Sequence, residues 1–151
     1  GLPLDRVHEG VAAIRLSPWR GEEIALSGGG FVVNDAYNAN PDSMRAALEH
    51  LAEQAGVRRK LAILGEMAEL GPSSEMYHRR IGELAAELGI EVIGVGERAR
   101  AYEPVAWAAT PDEALGLARA TVEPGDAVLV KASRAVGLEG IADEIAKSAR
   151  A

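Results

Sequence analysis

From Pro41 onward, short apolar runs alternate with helix-length amphipathic stretches, and this alternation most constrains the fold. A helix is predicted from Pro41 to about Ala55, with Met44, Ala47, Leu48, Leu51 and Ala55 on one face. Lys60–Leu64 reads as a strand. Ser73 is the expected cap of a helix to Leu88 that turns Tyr77, Ile81, Leu84, Ala85 and Leu88 inward, with Gly89 as its stop. Glu91–Val95 is the next strand, and Pro104–Trp107 a short edge strand, where proline is tolerated. Thr110-Pro111-Asp112-Glu113 forms a capping box opening a helix to about Val122. Ala127–Val130 is a buried strand, and a last helix runs from about Val136 to Ala149. Strands separated by helices of this length specify an α/β class, with a mostly parallel sheet covered on both faces.

The amino-terminal part departs from that rhythm. Leu4, Val7, Val11 and Ile14 are spaced as one face of a short helix, which Pro18 ends. Glu23–Leu26 and Phe31–Asn34 flank Ser27-Gly28-Gly29-Gly30, a hairpin signal that predicts one antiparallel strand. The first helix has no parallel strand of its own, so a domain boundary is expected near Pro18–Gly21.

Composition removes several function classes. A chain of 151 residues is long enough for one domain with a real core, built here from aliphatic side chains, since it has one Phe, two Trp and three Tyr. Acidic residues outnumber basic ones 23 to 16, for a net charge of −7. That balance disfavours nucleic acid or an anionic membrane as partner. Cysteine is absent, which removes disulfides and thiolate chemistry, and three histidines make a His-rich metal site improbable, so no metal site is expected. No apolar run approaches the roughly 20 residues that span a bilayer. The chain opens with Gly1 instead of Met, without a signal peptide, which suggests a processed or recombinant start; the expected location is the cytoplasm.

The strand ends carry the chemistry. Phe31–Asp35 runs into Tyr37-Asn38-Ala39-Asn40-Pro41, where Asn40 suits a helix N-cap and Pro41 the first helical position. In open α/β sheets ligands bind beyond the carboxyl ends of the strands, facing fresh helix amino termini. The same residues would also make a well-capped turn. Asp35 suits ribose hydroxyls, or equally an Asx turn. Lys131, Ser133 and Arg134 follow a buried strand, and two cations with a hydroxyl suit a carboxylate or phosphate; solvated loop charges are the plain alternative. Gly94-Val95-Gly96 lacks the third glycine of a dinucleotide fingerprint and precedes Glu97. No phosphate-cradling loop or nucleophile elbow occurs. His78 reads as a packed, hydrogen-bonded core histidine ahead of a catalytic one, and Glu66 and Glu69 as solvated loop charges ahead of a paired-carboxylate site. No catalytic group is assigned within the chain; the residues describe a ligand-binding domain without its own reactive machinery.

Three motifs, in order, carry a resemblance covering essentially the whole chain: Asp35-Ala36-Tyr37-Asn38-Ala39-Asn40-Pro41-Asp42-Ser43-Met44, then Leu64-Gly65-Glu66-Met67-Ala68-Glu69-Leu70-Gly71 with His78 downstream, then Val128-Leu129-Val130-Lys131-Ala132-Ser133-Arg134. Together they resemble the C-terminal domain of the Mur ligases. The Tyr-Asn-Ala-Asn element is similar to the branch that appends D-alanyl-D-alanine. Glu66 stands where many relatives have Asp, and Ala132 where they usually have Gly.

The resemblance implies a three-domain, ATP-dependent amide ligase of peptidoglycan precursor synthesis. Residues 1–20 would be the tail of a central ATPase domain preceding Gly1, and residues 21–151 a Rossmann-like C-terminal domain closing over it. ATP, with Mg2+, would phosphorylate the carboxylate of UDP-N-acetylmuramoyl-tripeptide, and the amine of D-alanyl-D-alanine would attack the acyl phosphate. The resemblance assigns Arg20, Asp35, Tyr37 and Asn38 to the nucleotide, and Asn40, Lys131, Ser133 and Arg134 to the dipeptide. Both ATP and metal would be held mainly by the preceding domains, so this chain alone is expected to be inactive. The alternative is a stand-alone nucleotide- or anion-binding α/β module without catalysis.

Overall fold

A computed structural model describes residues 21–148; the predicted helix over 4–16, Arg20 and Ala149 lie outside this span. Its six strands are β1 (Glu22–Ala25), β2 (Phe31–Asp35), β3 (Lys60–Gly65), β4 (Glu91–Val95), β5 (Ala106–Ala108) and β6 (Ala127–Lys131), arranged β1-β2-β6-β3-β4-β5. Only the β1–β2 pair is antiparallel, as the glycine-rich hairpin requires. Gly30 is indispensable in that turn: its φ is +84°, and a Cβ there would lie 2.2 Å from the Asp126 carbonyl oxygen.

Four helices clothe the sheet: α1 (Pro41–Ala52), α2 (Ser74–Glu87), α3 (Pro111–Thr121) and α4 (Ile141–Ser148). Strand parity sorts them onto two faces. Ala62, Leu64, Val92 and Leu129 meet Met44, Leu48, Leu51, Ile81 and Ala85 of α1 and α2. Val32, Leu61, Ile63, Val128 and Val130 meet Ala114, Ala118, Ile141 and Ile145 of α3 and α4. Each face is a continuous aliphatic layer, which explains how a chain so poor in aromatics builds its core.

Several boundaries differ from expectation for local reasons. The last helix begins at Ile141 and not near Val136, because Arg134–Val136 forms a 3₁₀ turn closed by Gly137 at φ +80°. Ser73 stands at the N-cap position of α2 as expected, but it also closes the 3₁₀ turn Gly71–Ser73, which contains Pro72, and its side chain makes no cap bond. The Asn40 prediction holds in detail. Its side chain accepts from Ser43 N while Ser43 Oγ accepts from Asn40 N, a reciprocal box that starts α1 directly behind β2.

Candidate active-site rim

The strand order creates a switch point at β6. The chains leaving β2 and β3 turn to the α1–α2 face, whereas the chain leaving β6, which lies between them, turns to the face of α3 and α4. Loops therefore part on either side of the β6 carboxyl end, opening crevices where ligands bind in such sheets. Into this rim the structure brings Asp35, Tyr37, Asn38 and Asn40 from β2 and Lys131, Ser133 and Arg134 from β6, together with Glu66 from β3. Arg20 lies outside the described residues.

Asp35 and Lys131 are partners on the last rung between β2 and β6. Lys131 Nζ donates to Asp35 Oδ2 at 2.8 Å and to the Asn38 carbonyl at 2.9 Å. Only 3% of the lysine side chain is exposed, against 21% for Asp35. A buried ammonium must be paired and hydrogen-bonded, and Lys131 meets that need by stapling the Asp35–Asn38 segment to β6. Asn38 Oδ1 accepts from Ala39 N, which tightens the same turn. Arg134 stays at the exposed tip, its guanidinium 5.6 Å from the Tyr37 ring centroid, within the range of a weak cation–π contact.

Ser133 knots three loops together. Its hydroxyl accepts from Ala68 N at 2.7 Å and lies 3.4 Å from the Ala39 carbonyl, while its own amide donates to the Glu66 carbonyl. Behind this knot the β3 exit is gripped from the core. Tyr102 Oη donates to the Gly65 carbonyl at 2.8 Å, and His78 Nε2 accepts from Met67 N at 3.0 Å. Burial lowers the His78 pKa below its ordinary 6.5, so the ring is neutral. Burial likewise raises the Tyr102 phenol far above its ordinary 10 and keeps it a donor.

Two clefts of about 350 Å³ each open on the rim. One is bordered by Gly21, Asp35, Asn38, Ser43 and Lys131; the other lies over β3, β4 and β6 among Glu66, Gly96, Arg98, Pro111 and Ser133. Arg98, Tyr102 and the bound state of Glu66 escaped sequence reading. Glu66 is not merely solvated: its Oε1 accepts from Arg98 N at 2.8 Å. The available signal was Tyr102 itself, one of three tyrosines in an aromatic-poor chain. Among the described residues no group of three or more His, Asp or Glu side chains is placed to hold a metal. Nor is any helix among them long and apolar enough to cross a membrane.

Comparison with known proteins agrees with this fold. The profile of the family described as "Mur ligase, glutamate ligase domain" matches residues 19–134. The UDP-N-acetylmuramoyl-tripeptide–D-alanyl-D-alanine ligase of Mycobacterium tuberculosis (strain CDC 1551 / Oshkosh) is 43% identical, the match covering 76% of this chain and 28% of that protein. The ligase of the same name from Treponema pallidum (strain Nichols) is 35% identical over 92% of this chain and 32% of its own length. The structure also resembles the MurF ligase from Thermotoga maritima in complex with ADP, with a TM-score of 0.79 and 28% identity over 92% of this chain and 33% of that one. The chain thus spans about a third of the length of these relatives. With a matching profile over most of its length and the fold to go with it, the chain belongs to the Mur ligase, glutamate ligase domain family.

Proposed function

We propose that residues 21–151 are the C-terminal domain of a ligase that adds D-alanyl-D-alanine to UDP-N-acetylmuramoyl-tripeptide in peptidoglycan precursor synthesis. Residues 1–20 would be the tail of a central ATPase domain. The observation that carries this reading is the convergence of Asp35, Asn38, Lys131 and Ser133 at the switch point around β6. In this scheme ATP transfers its γ-phosphoryl group to the tripeptide carboxylate, leaving ADP. The dipeptide amine then attacks the acyl carbon, loses a proton, and phosphate departs. The rim supplies no reactive group and half of a cleft; closure over the ATPase domain would exclude water from the acyl phosphate and align amine and carbonyl.

The two clefts divide the work. The Asp35 side would complete the nucleotide site, with Tyr37 and Asn38 beside it, and Arg20 would be a further nucleotide contact. The Ser133 side, with Arg98 in its lining, would receive the dipeptide, with Arg134 and Asn40 on the adjoining loops. Lys131 serves both by fixing the loop between them. Any Mg2+ accompanying ATP would be held by the preceding domain, and a reaction on nucleotide substrates would run in the cytoplasm.

The test is kinetic, in the full-length ligase. A charge-assisted contact is worth about 1.5–3 kcal/mol, so Arg134→Ala should raise the dipeptide KM roughly 10- to 100-fold while the ATP KM stays within about twofold. Unchanged dipeptide KM sinks the assignment of Arg134. A stand-alone nucleotide module predicts instead that this chain by itself binds ATP tightly in titration calorimetry; half a composite site should bind no better than about millimolar.

A further inference from the structure

His78 is fully buried on α2 and takes no part in the scheme above. Its contacts nevertheless point outward to the rim. Nδ1 lies 2.7 Å from the Ser74 carbonyl, an acceptor only, so Nδ1 carries the ring proton and Nε2 is left as the acceptor for Met67 N at 3.0 Å. The next amide, Ala68 N, is taken by Ser133 Oγ, and Ser133 N returns to the Glu66 carbonyl. Successive amides of one loop are thus held by side chains from two different elements. Neither bond survives if the loop shifts by the length of a hydrogen bond.

Tyr102 completes the seat. Its ring lies 5.1 Å from the His78 ring, and its hydroxyl holds the Gly65 carbonyl. Gly82, one turn along α2, lets the Tyr102 backbone approach so closely that a Cβ would lie 2.2 Å from the Tyr102 carbonyl oxygen. We infer that His78 is a positioning residue: it fixes the loop leaving β3 and, through that loop, the Ser133 edge of the dipeptide cleft. The cleft's ligand rests on the ligase reading; the grip on the loop does not.

Three variants of the measurement separate these parts. In this chain, His78→Leu should cut amide-exchange protection at Met67 and Ala68 at least tenfold while leaving Val92 and Ile93 of β4 unchanged. His78→Gln, whose amide oxygen can reach the place of Nε2, should keep protection within about threefold of wild type. In the full-length ligase, His78→Leu should raise the dipeptide KM at least tenfold with the ATP KM unchanged, and Gln should restore it. Should His78→Leu fail to fold, acidification decides. Protonation of the wild-type ring replaces the Nε2 acceptor with a donor, opposed by burial and then by Arg98, and favoured by the Ser74 carbonyl and Glu66, with the neutral Tyr102 alongside. Met67 protection should then fall with pH in wild type and not in His78→Gln. Equal protection in all variants, or parallel acid loss in both proteins, overturns the inference. An active ligase whose dipeptide KM ignores a freed loop overturns the positioning role. A full-length protein without ligase activity, but with Met67 released by His78→Leu, overturns the ligase reading and leaves the grip standing.

Discussion

The two ends of the sheet both bury charge, and they use it differently. At the amino end of β6, Asp126 is fully buried; its Oδ1 accepts from Arg58 Nη1 at 3.0 Å, and its Oδ2 from Arg59 Nη2 at 2.8 Å and Glu123 N at 2.9 Å. Arg59 also reaches the Thr121 carbonyl, and Arg58 reaches Glu123. Burial alone would raise the Asp126 pKa, yet hydrogen bonds from Arg59, the Glu123 amide and Arg58 outweigh it and hold the carboxyl below its ordinary 3.8. These bonds tie the starts of β3 and β6 to the end of α3. At the carboxyl end, Lys131 and Ser133 spend their bonds on loop backbone and leave Arg134, Asn38 and Asn40 facing outward. One end is a clamp, the other a scaffold for a surface.

That contrast can be broken by substitution, and the largest effect belongs to the clamp. Asp126→Ala should cost about 3 kcal/mol in equilibrium urea unfolding, near the lower end for breaking a buried pair because the arginines left behind can rehydrate. Kinetic constants of the full-length ligase should stay within about twofold. With a lowered native pKa, this contribution is complete above pH 3.8 and lost as pH falls through the depressed native value. A loss below about 1 kcal/mol would erase the distinction between the two ends.

Lys131→Met, which keeps the stem and removes the ammonium, should cost less, about 1–2 kcal/mol, since Asp35 is partly solvated and can rehydrate. It should also raise the ATP KM about tenfold, because Asp35 and the Asn38 turn lose their staple. If stability falls as far as in Asp126→Ala with kinetics unchanged, Lys131 is a clamp too. The smallest effect sharpens the baseline. Arg79 and Glu75 pair at 2.6 Å on α2 with side chains 52% and 74% exposed, so Glu75→Gln should change stability by less than about 0.5 kcal/mol by thermal unfolding.

The sheet class, the hairpin and the Asn40 and Thr110 caps were legible because each is written locally, in a two- or 3.6-residue period or in a residue type at a helix start. Thr110 Oγ1 accepts from Glu113 N as predicted, although the Glu113 carboxylate bonds Ala109 N and not the cap itself. The delayed start of α4 was not legible, because nothing local distinguishes Arg134–Val136 as a separate turn from a helix beginning there; the left-handed Gly137 decides it. Within the rim, the residues that end the strands could be read and their partners could not. Glu66 reads as a solvated charge until the turn after β4 is folded against it.

What the sequence determined by itself is the alternation of elements and the order in which polar residues leave them, since periodicity and capping act over a few residues. Only the tertiary structure decided that β6 inserts between β2 and β3. That placement brings Lys131 to Asp35 across 96 residues of chain and His78 to the back of the loop that Ser133 holds from the front. Strand order is set by how whole hydrophobic faces pack on both sides of the sheet, a balance that no short stretch of residues contains.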